Sequence, residues 1–186
     1  MYIQPNEESL RIQDHQYLLI DQAIVGKFEG YSQYIISLAP DFNLLQAEQY
    51  PILLKFDKLS LEKQQELLDY HESFIGLYQQ PIFSVLFKTR YEQTDESLAK
   101  YFKKILYVDK NGKIFLRRIY DPKVIFQLNC YESQFDILSN IFKPFSDVSI
   151  FFNKKFITFT LNEDAIQQDG ILENVSFSKI SLVNRL

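Results

Sequence analysis

Apolar residues in this chain fall into short dense runs separated by stretches with helical spacing, and the alternation of the two predicts its elements. His15-Gln16-Tyr17-Leu18-Leu19-Ile20-Asp21 reads as a first strand, an apolar run closed by an acidic residue. From Lys27 to Leu38, the positions of Phe28, Tyr31 and Ile35, with Tyr34 and Leu38 alongside, predict a helix that Ala39-Pro40-Asp41 ends. Gly30 is the weak point of that helix. Tyr50 to Phe56 reads as a buried strand with Pro51 near its start, where a missing N–H is tolerated. Ser60 is expected to cap a helix whose apolar face is Leu67, Leu68, His71, Phe74, Ile75 and Tyr78.

Pro81 to Phe87 is the next expected strand. Asp95 is expected to cap a helix with the stripe Leu98, Tyr101, Phe102, Ile105 and Leu106, the cleanest amphipathic pattern in the chain. Asp109-Lys110-Asn111-Gly112 predicts a tight turn, because Asn-Gly accepts positive φ, and the turn delivers a strand from Lys113 to Tyr120. Asp121-Pro122 then starts a helix carrying Val124, Ile125 and Leu128. A short helix is expected from Phe135 to Phe142, stopped by Pro144, and two strands at Val148–Phe152 and Phe156–Leu161. Strands interleaved with helices predict an α/β fold, a mixed β-sheet with packed helices, in a single compact domain over residues 1–162. Residues 163–186 form a tail that is polar as far as Gly170 and then apolar again. Such a tail either packs on its own domain or binds a partner.

The chain of 186 residues, 46% apolar and 24% charged, has the length and balance of one globular domain. A net charge of -4 opposes a nucleic-acid partner, whose phosphates need concentrated Lys and Arg. The segment Met1 to Glu8 has neither a basic n-region nor an apolar h-region, and no apolar stretch is long enough to cross a bilayer, so no secretion signal and no membrane partner are expected. The single cysteine, Cys130, lies in an apolar run and is expected to be a small buried hydrophobe, consistent with a reducing compartment. Seventeen Phe and twelve Tyr with no Trp supply most of the core, and tyrosines left outside it suit a protein interface.

Catalytic and metal chemistry find little material. His15 and His71 are the only histidines, too few with one cysteine for a zinc site, so neither a metal nor a cofactor is expected. No phosphate-cradling glycine loop and no nucleophile elbow occurs. Asp14, Asp21 and Asp121 sit at element ends, where strand termination or capping accounts for them. Arg117-Arg118 is expected within a strand, its two side chains on opposite faces. No catalytic residue is assigned, and the chain is expected not to be an enzyme.

The segment Ile114-Phe115-Leu116-Arg117-Arg118-Ile119-Tyr120-Asp121-Pro122-Lys123-Val124-Ile125 resembles the Arg-x-Tyr-Asp-Pro signature of the type VI secretion effector chaperone (adaptor) family. Tyr17-Leu18-Leu19-Ile20-Asp21-Gln22-Ala23 is similar to that family's opening strand, and Tyr50-Pro51-Ile52-Leu53-Leu54 to a second one. Ser97 to Val108 followed by Asn111-Gly112 resembles its amphipathic helix and turn, and Ile141 to Phe145 its Phe-x-Gly-Pro segment, with Lys143 where glycine is usual. Ile52 stands where a larger aromatic is common, and Lys123 replaces arginine. The likeness covers residues 15 to 152. It implies a cytoplasmic chaperone that binds a type VI effector and loads it onto the spike-tip protein of the secretion machine. It also singles out Tyr17, Asp21, Arg118, Tyr120, Asp121 and Pro122 as structural residues with partner contact as their alternative role. Asp121 would cap the helix begun by Pro122, and Arg118 or Tyr120 would pin that junction to Asp21 or to a backbone carbonyl. The competing function is an immunity protein that neutralises a toxin.

Overall fold

The computed structural model describes residues 12–26, 28, 30–41, 44–125, 141–152 and 155–160. Its centre is β1 (Tyr17–Ile20), buried at all four positions. Antiparallel partners flank it, β3 (Ile52–Lys55) on one edge and β4 (Phe83–Thr89) on the other. The sheet extends to β2 (Ile35–Ser37), β7 (Phe145–Phe152) and β8 (Lys155–Thr160), in the order β2-β3-β1-β4-β7-β8. Each described pairing is antiparallel, a detail that the interleaving of helices and strands does not reveal.

Successive strand residues point to opposite faces, so a strand covered on both sides must be apolar throughout. Tyr17 and Leu19 of β1 join Leu53, Val85, Phe87, Val148 and Ile150 on one face, under Leu98, Phe102 and Leu106 of α3 (Asp95–Leu106). Leu18 and Ile20 join Ile52, Leu54, Phe83 and Leu86 on the other face, under Leu67 and Phe74 of α2 (Leu61–Tyr78). Helix, sheet and helix make three layers, and the expected α/β class is the observed one.

One irregularity sets the geometry of β4. Leu19 pairs with Val85 but Ile20 pairs with Phe83, leaving Ser84 as the extra residue of a bulge. A one-residue slip exchanges faces. It turns Phe83 into the α2 layer while Val85 and Phe87 stay on the α3 side. There Phe83 stacks on the buried His71 ring, centroids 3.9 Å apart and planes 9° from parallel.

Several expectations are corrected. The helix expected from Lys27 to Leu38 does not form among the described residues of that segment. Gly26 and Gly30 hold φ of 81° and 83°, a 3-10 turn occupies Ser32–Tyr34, and the β-branched pair Ile35-Ile36 joins the sheet as β2. Ser60 caps α2 as expected, accepting the Lys63 N–H at 3.4 Å. The cap of α3 is Thr94, not Asp95: its hydroxyl accepts the Ser97 N–H at 3.2 Å. Asp95 falls in the first helical turn, where a carboxylate suits the helix dipole and pairs with Lys55 at 2.7 Å.

The turn at Asn111 (φ 57°) and Gly112 (φ 75°) joins β5 (Tyr107–Lys110) to β6 (Lys113–Leu116). This two-stranded hairpin stands apart from the main sheet, and β6 is exposed at all four positions. The strand expected to reach Tyr120 therefore stops at Leu116, so Arg117 and Arg118 are not on opposite faces of a strand. Arg117 N–H instead donates to the Leu106 carbonyl at 2.6 Å, and a turn closes from Asp121 N–H to the Arg118 carbonyl at 3.0 Å. That turn drives Ile119 and Tyr120 into the core under α3. Cys130, Leu128, the Phe135 end of its helix and the tail 163–186 lie outside the described residues.

His71 Nδ1 accepts the Ile82 N–H at 3.3 Å, which requires that nitrogen to be unprotonated. Burial pushes its pKa down from 6.5 to about 4. Between those values the unfolded chain binds the proton that the folded ring refuses, so stability falls as pH falls. The full loss across the window is about 3 kcal/mol. Urea midpoints taken from pH 7 to pH 4.5 should drop in the native protein, and His71→Phe should flatten that part of the slope. An identical slope in both would show that other groups carry it.

Candidate functional site

The C-terminal end of β1 leads directly into a site. Asp21 follows the strand and caps α1 (Gln22–Val25), its Oδ1 accepting the Ala23 N–H at 3.1 Å. Against α1 lie the end of α2, the start of β4, the turn at Arg118 to Lys123, and Phe151 of β7. Together they enclose a cleft of about 470 Å³. Five of the six residues singled out by resemblance line it: Asp21, Arg118, Tyr120, Asp121 and Pro122. Tyr17 does not. It sits at the opposite end of β1, within the α3-side core, where burial first and then Asp57 and Asp95 push its hydroxyl pKa up.

The Tyr120-Asp121-Pro122 junction is built as a cap. Residues 122–125 are helical, and Asp121 Oδ1 accepts the Lys123 N–H at 3.0 Å while its carbonyl accepts from Val124 at 3.0 Å. Proline fits the first helical position because its missing N–H would have no partner there. The bond that pins this junction comes from β4: Ser84 Oγ donates to the Tyr120 carbonyl at 2.5 Å. The bulge is what aims Ser84 there. Arg118 Nη2 lies 3.6 Å from Asp121 Oδ2, and its guanidinium carbon is 5.9 Å from the centre of the Tyr120 ring. With the Arg118 side chain 58% exposed, this pair adds little stability and mainly orients the guanidinium.

The electrostatics of the cleft centre on Asp21. Burial raises its pKa and Asp121 adds to that, while the Ala23 N–H and Arg118 oppose it. Burial likewise raises the Tyr120 hydroxyl, with Asp21 reinforcing and Arg118 opposing. Two carboxylates, a guanidinium and a phenol thus share one partly dry cleft with walls of Ile24, Val25, Ile75 and Ile82.

A second groove, about 480 Å³, adjoins the cleft through Ile24, Val25 and Gln80 and is lined by Tyr70, Phe74, Leu77 and Tyr78. Its rim is apolar and open: Leu77 is 76% exposed and Tyr78 62%. The stripe predicted for α2 holds for Leu67, His71 and Phe74, but it runs past the sheet and leaves Tyr78 outside the core. Overrun of an apolar stripe beyond its cover was the available signal for this groove. Ser84 carried no such signal, because a serine inside an apolar strand does not announce a bulge.

Among the described residues no group of three or more His, Cys, Asp or Glu could hold a metal ion, and no helix is long and apolar enough to cross a membrane. No family model, no curated protein and no solved structure matches the chain.

Removing the Asp121 cap should cost about 1 kcal/mol. Asp121→Ala is therefore expected to lower the melting temperature by a few degrees, and Asp121→Asn, which caps equally well, to restore most of it. Equal melting temperatures for all three proteins would show that the junction is not held by this cap.

Proposed function

We propose that this chain is an adaptor that holds a type VI secretion effector in the cytoplasm and delivers it to the spike-tip protein, and that it catalyses no reaction itself. The observation that carries this reading is the convergence of Asp21, Arg118, Tyr120, Asp121 and Pro122 on one cleft beside an open apolar groove. Clefts with apolar walls and a few placed polar groups are binding sites, and exposed apolar patches on a folded surface mark contact with other proteins.

An adaptor needs two surfaces, one for its cargo and one for the spike. The cleft and groove supply the first. The β5–β6 hairpin supplies the second, with Ile114 50% and Phe115 51% exposed on a two-stranded sheet whose outer edges are unpaired in the described structure. Strand edges of that kind accept an added strand from another chain.

Deletion of the gene in its own bacterium tests the function. One effector should disappear from the secreted fraction while the spike-tip protein is still exported, and a chain carrying Leu77→Asp with Tyr78→Asp should fail to restore it. Continued secretion of every effector would refute the adaptor reading. Death of the deletion strain from its own toxin, with secretion intact, would identify an immunity protein instead.

A further inference from the structure

We propose that the cleft receives a lysine or arginine side chain of the bound polypeptide, its cation on Asp21 and its aliphatic stem against Ile24, Ile75 and Ile82. The inference deepens the adaptor reading by naming the chemistry of the partner, and it rests on the cleft being a polypeptide site.

Two independent features of the cleft call for a cation. The first is Asp21 itself. The one hydrogen bond its carboxylate makes among the described residues is from the Ala23 N–H to Oδ1, and no lysine or arginine among them lies within ion-pair distance, Arg118 acting on it only from further off. The nearest candidate, Arg118, is turned to Asp121 and to the Tyr120 ring. Lys123 lines the cleft too but is exposed and makes no ion pair with Asp21. A half-buried carboxylate with an unused oxygen is an incomplete site, since charged groups out of water are normally paired.

The second feature is the end of α2. Eighteen residues of helix terminate at the cleft wall, where Ile75 and Gln79 line it, and the last turn contains no basic residue. A helix C-terminus carries partial negative charge and favours a cation within about one turn. Here the last turn supplies none of its own. Gln79 closes the end by donating its backbone N–H to the Ile75 carbonyl and its Nε2 to the Gly76 carbonyl, neutral donors that leave the dipole in place.

The walls then choose among cations. A small hydrated ion gains nothing from Ile24, Ile75 and Ile82, whereas a lysine or arginine stem buries against them while its head reaches a carboxylate. The adjoining groove at Phe74, Leu77 and Tyr78 is placed to take an apolar neighbour of that residue. The recognised segment is thus a basic residue beside a large apolar one.

The test uses the full chain and a phage-displayed library of random peptides. Selection should enrich a lysine or arginine at a fixed position next to a large apolar residue. The enriched peptide is then synthesised with lysine or with uncharged norleucine at that position. Norleucine should weaken binding about tenfold or more, the usual reach of a charge-assisted hydrogen bond. Asp21→Asn keeps the cap of α1 and should weaken the lysine peptide equally, with no further loss on norleucine replacement. Should Asp21→Asn melt early, Gln80→Lys, which sets a competing cation at the exposed rim, should weaken the lysine peptide and spare the norleucine one. Enriched peptides with no basic residue would overturn the charge assignment and leave polypeptide binding standing. An unchanged lysine-to-norleucine ratio in Asp21→Asn would also overturn it. So would self-association in sedimentation that Asp21→Asn abolishes, since the occupant would then be a second copy of this chain.

Discussion

Everything in this molecule hangs on the double burial of β1. Four residues are hydrogen-bonded on both edges and covered on both faces, so Tyr17, Leu18, Leu19 and Ile20 each have one permitted environment. Leu18, Leu19 and Ile20 are fully enclosed and bind the two helical layers into one structure. Each contributes roughly 1.5–3 kcal/mol of apolar burial, and a slip of one residue would exchange the faces of all of them. The residue after the strand is then located with little freedom. That residue is Asp21.

The bulge in β4 is the second constraint and follows from the first. With β1 held in register, the extra residue Ser84 must be absorbed locally, and its hydroxyl is aimed at the Tyr120 carbonyl. Two chain segments distant in sequence, the strand end at Asp21 and the capped turn at Asp121, are brought together through β4, which pairs with β1 and holds the turn by this bond. Phe83, turned over by the same bulge, meets His71 and closes the α2 layer. The site therefore sits at the end of the strand that is paired on both edges and buried on both faces, and sites built on strands are held more accurately than sites on loops.

The strands around β1 and the helix α3 were legible in the sequence because they obey one period each: continuous apolar runs for strands buried on both faces, and 3.6-residue spacing for Leu98, Phe102 and Leu106. The segment before Leu38 was not, because its helical spacing competed with two glycines at positive φ and with a β-branched pair that the open edge of β3 could accept. The reach of β6 was overestimated for a related reason. Strand-like composition continues through Ile119 and Tyr120, yet those side chains find more burial by turning under α3. Of the site, the motif residues near Asp121 were readable and their convergence with Asp21 followed. The opposite wall was not readable, because Ile24 of α1 and Ile75 and Gln79 at the end of α2 lie far apart in sequence and meet only in the fold. Tyr17, included on resemblance, belongs to the other end of its strand.

The spatial order of the strands also bears on how the chain is made. Val85 of β4 pairs with Ile150 of β7, so the two strands are separated by α3, the β5–β6 hairpin and the Asp121 turn. Closing so long a loop delays the pairing. During synthesis β1, β3 and β4 emerge first and can assemble, while the β4 edge reserved for β7 stays open until the chain beyond Ile150 has left the ribosome. An open edge on an apolar strand invites pairing with a neighbouring nascent chain. The same ordering means that the cleft, which needs Phe151 as well as Asp21, is completed only when synthesis has passed β7. A chain stalled before β7 would therefore present an unfinished sheet and an incomplete site to compete for the partner.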